Sequence, residues 1–113
     1  MKIVVLGGLG SQGRGALLDL TNSVAVDEII CADANLESWD SFAATMDTKK
    51  ITPVKIDASS KESLVKLFEQ NVDAAIDLLP IKFMLNAFEA AIAAKVPLVS
   101  TCLLYTSPSP RDS

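Results

Sequence analysis

A glycine-rich turn between a strand and a helix is the feature that most constrains how this 113-residue chain folds. Residues 2–6 form a short, β-branched apolar run, which is typical of a buried parallel strand. The hexapeptide Gly8-Leu9-Gly10-Ser11-Gln12-Gly13 follows with the spacing G-x-G-x-x-G, and the residues after it predict a helix. In such a turn Gly8 allows the tight bend, Gly10 lets a pyrophosphate approach the backbone, and Gly13 lets the helix lie close to the strand.

An acidic residue after the next predicted strand distinguishes a nucleotide site from an ordinary glycine-rich turn of an α/β domain. Residues 28–32 predict the second strand, and Asp33 follows it, twenty residues after Gly13. Dinucleotide-binding folds place their ribose-binding acid at this point. The Asp33 carboxylate can accept hydrogen bonds from the adenosine ribose hydroxyls, and it would repel a 2′-phosphate. We therefore predict a dinucleotide-binding site.

The alternation of short apolar runs with amphipathic segments predicts an α/β fold, a doubly wound parallel sheet of Rossmann type with right-handed crossovers. We expect five strands in the order 3-2-1-4-5, with the ligand crevice between strands one and four. The predicted strands are residues 2–6, 28–32, 52–56, 73–79 and 97–100. The predicted helices begin near residue 11, cover 36–46 with Asn35 as N-cap, follow a Ser59/Glu62 capping box, and cover 81–94.

Residues that end the predicted strands line that crevice and are candidates for ligand contact. Asp57 either meets the adenine amino group or caps the third helix, and Ala58 follows it. The apolar run 78–80 would cover the ribose and nicotinamide side of a cofactor, while Pro80 also suits the first turn of a helix. Asp77 lies inside an apolar strand, so we predict a structural role in which it accepts N–H bonds from the phosphate loop.

Three other side chains have simpler interpretations. Arg14 follows Gly13 directly, and we favour a solvated side chain over a phosphate contact. Trp39, the only tryptophan, is expected to pack on the sheet edge rather than on adenine. Cys31 is expected to be a small core residue. The chain has no histidine, which removes the commonest general base and metal ligand.

Charge and composition narrow the class of partner. The net charge of −4 and the pI near 4.6 argue against a nucleic-acid partner. The N-terminal apolar run is too short for a signal peptide, and no apolar run is long enough to span a membrane. We therefore expect a cytoplasmic protein without a membrane partner.

The C-terminal segment has a different character. Residues 102–112 match one reading frame of a transposase-type sequencing adapter; the alternative is a natural Ser/Pro-rich tail. We expect residues 1–101 to form the dinucleotide-binding domain and residues 102–113 to be a non-native, disordered tail. The fifth strand would then be an open sheet edge, and the chain would tend to associate.

The glycine-rich segment 4–15 resembles the opening of the saccharopine dehydrogenase family, and three further segments match its pattern, at 26–33, at 55–58 and from Asp73 to Thr101. The resemblance covers nearly all of residues 1–101. It implies the Rossmann domain of an oxidoreductase that forms or oxidises a carbon–nitrogen bond of an amino acid, by hydride transfer to or from a nicotinamide. Saccharopine and lysine dehydrogenases and carboxynorspermidine synthases are examples.

The same resemblance assigns roles to individual positions. It implies that the hexapeptide at 8–13 holds the pyrophosphate, Asp33 the adenosine ribose, Asp57 and Ala58 the adenine, and Leu79 and Pro80 the centre of the cofactor, with Ser100 and Thr101 near the nicotinamide. Ala34 and Asn35 follow Asp33 with no arginine to receive a 2′-phosphate, so we expect NAD in preference to NADP.

In this family the substrate domain and the acid–base residues come later in the sequence. We therefore expect no catalytic residue in this chain and no turnover by it. The parent protein would bind an amino-acid substrate through that later domain and form a homo-oligomer.

Two other functional classes use a similar fold. One is a nucleotide-sensing regulatory module of the type attached to potassium channels, which has the same glycine loop and acid but no catalysis. The other is an atypical short-chain reductase, which would need a Tyr-x-x-x-Lys motif. The only tyrosine, Tyr105, lies in the C-terminal segment, and no such motif is present.

Overall fold

The computed structural model describes residues 1–9, 11–45, 47–100 and 104–105. Strands and helices alternate along the chain: β1 Lys2–Leu6, α1 Ser11–Thr21, β2 Glu28–Asp33, α2 Trp39–Ala43, β3 Ile51–Lys55, α3 Lys61–Phe68, β4 Ala74–Asp77, a 3₁₀ turn at Ile81–Phe83, α4 Met84–Ala94, β5 Leu98–Ser100 and β6 Leu104–Tyr105.

One sheet carries all the strands, in the order β3-β2-β1-β4-β5-β6. The first five are parallel, which confirms the predicted order 3-2-1-4-5. The short strand β6 pairs antiparallel with β5, Leu98 facing Tyr105, so β5 is not the open edge that we expected. The rest of the segment 102–113 lies outside the described residues, and its disorder stays a prediction.

The central strand β1 is buried on both faces, as a parallel sheet between two helical layers requires. Val4 and Leu6 belong to one apolar cluster, which includes residues of α3 and α4. Ile3 and Val5 belong to the cluster on the other face, with residues of α1 and α2. The alternation follows from the two-residue period of a strand, and it fixes which helices cover each face.

The helix α2 is shorter than predicted because a local turn precedes it. Asn35 Oδ1 accepts a hydrogen bond from the Glu37 N–H at 2.8 Å, so Asn35 forms a side-chain turn and does not cap the helix. The N-cap position is Ser38, whose side chain makes no capping bond. The predicted helix 36–46 is therefore reduced to Trp39–Ala43.

The cap of α3 also differs from the prediction by one residue. Ser60 Oγ accepts from the Ser63 N–H at 3.2 Å and is the N-cap. Ser59, which we expected in that role, instead donates its hydroxyl to Asp57. The predicted strand 73–79 ends at Asp77, which leaves Leu78 and Leu79 in the loop that precedes α4.

Trp39 and Arg14 both lie beside the ring of Phe42, a buried residue of α2. The Trp39 and Phe42 ring centroids are 5.7 Å apart, and Trp39 packs against the apolar cluster, as predicted. The Arg14 side chain is exposed, with its guanidinium carbon 5.7 Å from the Phe42 centroid.

Among the described residues, none of the helices has the length and apolar character that a membrane span requires.

Candidate dinucleotide-binding site

The tight bend after β1 is made by Gly7, and the prediction that Gly8 makes it was wrong. Gly7 has φ +77°, a conformation that favours glycine, and its N–H donates to the Ala32 carbonyl at 2.7 Å. A Cβ at Gly7 would also lie 3.1 Å from the Leu78 carbonyl oxygen. The sequence does carry a sign of this role, because Gly7 and Gly8 form a pair of glycines directly after the apolar run. The G-x-G-x-x-G spacing begins at Gly8 and therefore leaves Gly7 out.

Gly8 and Gly13 are required because neighbouring atoms leave no space for a side chain. A Cβ on Gly8 would lie 2.7 Å from the Cys31 Sγ of β2. A Cβ on Gly13 would overlap the Gly8 carbonyl. The close approach predicted at Gly13 is therefore present, but it is made against the turn itself. Gly10 lies outside the described residues, as do the side chains of Ser11 and Gln12.

The Asp33 carboxylate joins the end of β2 to the glycine turn. Its Oδ2 accepts from the Leu9 N–H at 3.2 Å, and its Oδ1 accepts from the Asn35 N–H at 3.3 Å. Each carboxylate oxygen can accept more than one hydrogen bond, so both retain capacity for an outside donor. The side chain is half-buried, and the two hydrogen bonds orient its carboxylate beside the turn.

A cleft of about 360 Å³ opens between the ends of β1 and β4 and the loops after β2 and β3. It brings together five of the predicted site residues, Asp33, Asp57, Ala58, Leu79 and Pro80. Gly7, Ala34, Leu78 and Phe83 complete its lining. A second hollow of about 320 Å³ adjoins it at Asp33 and is bounded by Leu9.

Asp57 is held in the cleft by a neighbouring serine. Its Oδ1 accepts from the Ser59 hydroxyl at 2.6 Å and from the Ser59 N–H at 3.0 Å. These bonds lower the pKa of the Asp57 carboxyl, which is exposed to solvent. Because Ser60 is the cap of α3, Asp57 does not make that cap, while its contact with adenine stays a prediction.

The loop after β4 forms the apolar wall of the cleft. The Leu78 N–H donates to the Leu6 carbonyl at 2.9 Å, which continues the pairing with β1 beyond the strand. Asp77 Oδ1 accepts from the Leu79 N–H at 2.9 Å. Asp77 therefore accepts a backbone hydrogen bond, as predicted, but the donor belongs to its own loop and not to the phosphate loop. Pro80 has φ −55° and precedes the 3₁₀ turn, as suits a proline before a helix.

Ser100 lies away from this cleft. Its hydroxyl is 3.7 Å from the Met84 sulfur, at the start of α4. Thr101 lies outside the described residues.

Beyond Asp33, a further hollow of about 550 Å³ is lined by residues 34–37 and by Lys55, a cation to which the sequence analysis assigned no role. The described residues contain no group of acids and cysteines suited to hold a metal ion.

Comparison with known proteins agrees with this geometry. The sequence profile of the saccharopine dehydrogenase NADP binding domain matches residues 3–112. The structure is similar to apo saccharopine dehydrogenase (L-Glu forming) from Saccharomyces cerevisiae, with a TM-score of 0.72 and 22% identity, over 98% of this chain and 23% of the yeast chain.

Two nucleotide complexes share the fold. The NADPH-dependent quinone oxidoreductase of Escherichia coli, solved with NADPH, has a TM-score of 0.70 and 21% identity, over 87% of this chain and 35% of its own. The dTDP-glucose 4,6-dehydratase of Bacillus anthracis, solved with NAD, has the same score and identity, over 88% of this chain and 36% of its own.

The family profile covers nearly the whole chain and is described as NADP-binding, so it supports a nicotinamide dinucleotide ligand but not the predicted preference for NAD. The fold has the glycine turn, the acid and the cleft in the expected places. The chain spans 23% of the length of the yeast enzyme. This chain belongs to the saccharopine dehydrogenase NADP-binding domain family.

Proposed function

We propose that this chain binds NAD(H) in preference to NADP(H), as the nucleotide-binding part of an oxidoreductase that acts on a carbon–nitrogen bond of an amino acid. The observation that carries the proposal is the position of Asp33. Its carboxylate is held by the Leu9 and Asn35 N–H groups, next to the glycine turn and on the wall of the cleft. A fixed anion at this point favours ribose hydroxyls, which donate hydrogen bonds, over a 2′-phosphate, which it repels.

The remaining residues of the cleft support a dinucleotide of this shape. The glycine turn leads directly into the start of α1, where backbone N–H groups can bind the diphosphate. Leu79 and Pro80 give an apolar surface on the β4 side. When bound, the nicotinamide supplies the hydride acceptor or donor, while the residues of this chain bind and orient the nucleotide.

The proposal extends to the substrate and to turnover. The family to which the chain belongs supports an amino-acid substrate held by a part of the parent protein that this chain does not include. We expect the isolated 113-residue chain to bind the nucleotide and to show no amine-dependent reduction of NAD. Measurable turnover by the purified chain would contradict this part of the proposal.

Fluorescence titration with NADH and NADPH tests the preference. The chain should bind NADH at least about tenfold more tightly than NADPH, because a 2′-phosphate beside Asp33 places like charges together. Asp33→Ser should weaken NADH binding and reduce or reverse the ratio. Asp40→Asn removes an exposed acid of α2 that lies outside the cleft, and it should leave both affinities unchanged.

Lys55 provides the opposing test. It lines the hollow next to Asp33 and is the cation placed to meet a 2′-phosphate there. If NADPH binds as tightly as NADH, and Lys55→Gln selectively weakens NADPH, the NAD preference is wrong. If Lys55→Gln changes neither affinity while NADH remains favoured, Asp33 determines the preference.

A further inference from the structure

Asp77 is the only acidic or basic side chain that is buried among the described residues. It is 1% exposed, at the end of β4. One carboxylate oxygen, Oδ1, accepts from the Leu79 N–H, whereas the other, Oδ2, has no hydrogen-bond partner. An ionised carboxylate with an unpaired, buried oxygen is costly, so burial shifts the equilibrium of Asp77 toward the neutral acid form.

The side chains next to Asp77 in the sheet are apolar, except for that of Ser100. The sheet register places it between Leu6 of β1 and Ser100 of β5. Leu6, Ala75 and Leu98, which flank it in the sheet, belong to the apolar cluster under α3 and α4. Burial consequently raises the pKa of the Asp77 carboxyl, and the Leu79 N–H opposes that rise only in part.

No charged neighbour compensates the carboxylate. β5 carries no charged residue. The charged residues on the other elements and loops around Asp77 are Lys2 at the far end of β1, Lys61, Glu62 and Lys66 on α3, Lys82 before α4, Glu89 on α4, and the cleft acids Asp33 and Asp57. Lys82 lies over the Phe83 ring, and Glu89 pairs with Lys61. None of the ion pairs of the described residues includes Asp77.

Asp77 is nevertheless adjacent to the nucleotide site. The next residue, Leu78, bonds to the Leu6 carbonyl, and its own carbonyl lies against Gly7 at the bend. The following residue, Leu79, lines the cleft. A dinucleotide diphosphate at this turn would place negative charge close to the Asp77 carboxyl, in surroundings of low dielectric constant.

We propose that Asp77 is a positioning residue that links dinucleotide binding to proton uptake. The neutral carboxylic acid holds the Leu79 N–H through Oδ1 and carries its proton on Oδ2, and in this form the site admits a diphosphate. The anion repels that diphosphate. Binding therefore draws a proton from the solvent onto Oδ2, and no covalent bond changes. This inference rests on the proposed nucleotide binding.

The direction of the pH dependence follows from the same charges. A raised pKa means that Asp77 is neutral at low pH and ionises as the pH rises through its folded-state value. A bound diphosphate raises that value further. Affinity should therefore be highest on the acidic side and fall with rising pH, by about five- to tenfold across the titration. Proton uptake on binding should be largest at pH values between the Asp77 titration midpoints of the free and the nucleotide-bound protein.

Calorimetric titration with NAD⁺, in two buffers of different ionisation enthalpy, measures this uptake from about pH 5 to about pH 8. The wild-type chain should take up a fraction of a proton, and this uptake should be largest above the pH at which an ordinary aspartate titrates. Asp77→Asn keeps an oxygen acceptor for the Leu79 N–H and places an amide where the proton would be. It should bind NAD⁺ with no uptake from this position, and more tightly than the wild type at the upper end of the range.

Two further variants separate charge from structure. Asp77→Leu removes the acceptor for the Leu79 N–H, so it should weaken binding at every pH. Asp57→Asn removes a cleft acid whose pKa is lowered, and which is therefore ionised throughout the range. Asp57→Asn should change the affinity almost uniformly with pH and leave the proton uptake as in the wild type.

The outcomes distinguish this inference from the proposed function. Binding of NAD⁺ with the same proton uptake in the wild type and in Asp77→Asn would overturn the inference alone. Absence of NAD⁺ binding by the wild type would overturn both. If Asp77→Asn does not fold, the carboxyl ¹³C shift of Asp77 in the wild type decides the question. Its titration midpoint should rise when NAD⁺ is added, and an unchanged midpoint would overturn the link.

Discussion

Gly8 and Cys31 form the contact on which the shape of the glycine turn depends. A Cβ at Gly8 would lie 2.7 Å from the Sγ of Cys31, a fully buried residue. We expect Gly8→Ala to lower the free energy of unfolding by about 1–3 kcal/mol, the usual cost of overpacking. Urea denaturation followed by circular dichroism would measure the change.

The chain supplies a matched control on the first turns of α1. A Cβ at Gly15 would meet no atom within 4 Å, so Gly15→Ala should be neutral or stabilise the helix by up to about 1 kcal/mol. Cys31→Ala should partly rescue Gly8→Ala, because it removes the sulfur that the new methyl group meets. A Gly8→Ala cost that is the same with and without Cys31→Ala would show that the contact is not responsible.

At the scale of the elements, α4 ends on a residue in a strained conformation. Lys95 has φ +61°, and its N–H donates to the Ile92 carbonyl at 3.1 Å, while buried Val96 closes the helix end. Lys95→Gly should raise the free energy of unfolding by about 0.5–1 kcal/mol, because relief of the left-handed strain exceeds the entropy that glycine loses. Thermal denaturation would measure it.

Asn71 provides the comparison for this prediction. It also has a positive φ, +64°, but asparagine adopts this conformation at little cost. Asn71→Gly should therefore change the stability by less than Lys95→Gly. An equal gain at both positions would mean that the side chain of Lys95 adds no strain.

The order and type of the elements follow from the sequence, because each parallel strand is a short apolar run and each helix has an apolar face. The predicted boundaries that differ from the structure are those where a polar side chain forms a hydrogen bond with nearby backbone. Asn35 bonds to the Glu37 N–H and shortens α2, and Asp77 bonds to the Leu79 N–H, directly after the end of β4. Such local bonds compete with regular structure and leave no periodic signal.

The candidate site was predictable to the same extent. Asp33 and Asp57 could be placed because they end strands of a known order, and the ends of parallel strands share one edge. Phe83 and Lys55 could not be placed from the sequence. Phe83 reaches the cleft from the 3₁₀ turn before α4, and Lys55 lines a hollow formed by the loop after β2. Their places depend on how the loops pack in three dimensions.

At the scale of the whole molecule, Cys31 links the core to the nucleotide site. It is fully buried in β2, its Sγ lies beneath Gly8, and burial raises the pKa of its thiol to about 12. At pH values near 8 the folded chain therefore offers almost no thiolate at this position, and a reagent can reach the sulfur only when the sheet opens. Labelling of Cys31 accordingly reports opening of the domain as a whole.

The labelling rate of Cys31 should therefore depend on whether a nucleotide is bound. In a Cys102→Ser variant, Cys31 is the only thiol, and its reaction with an aromatic disulfide reagent should be slow and should accelerate in urea. NADH at about 100 times its dissociation constant should stabilise the folded state by about 2.7 kcal/mol and slow the labelling by about a hundredfold. NADPH at the same concentration should protect less, because Asp33 repels its 2′-phosphate. Rapid labelling that NADH does not slow would mean that the sulfur is reached by a local opening that does not involve the glycine turn.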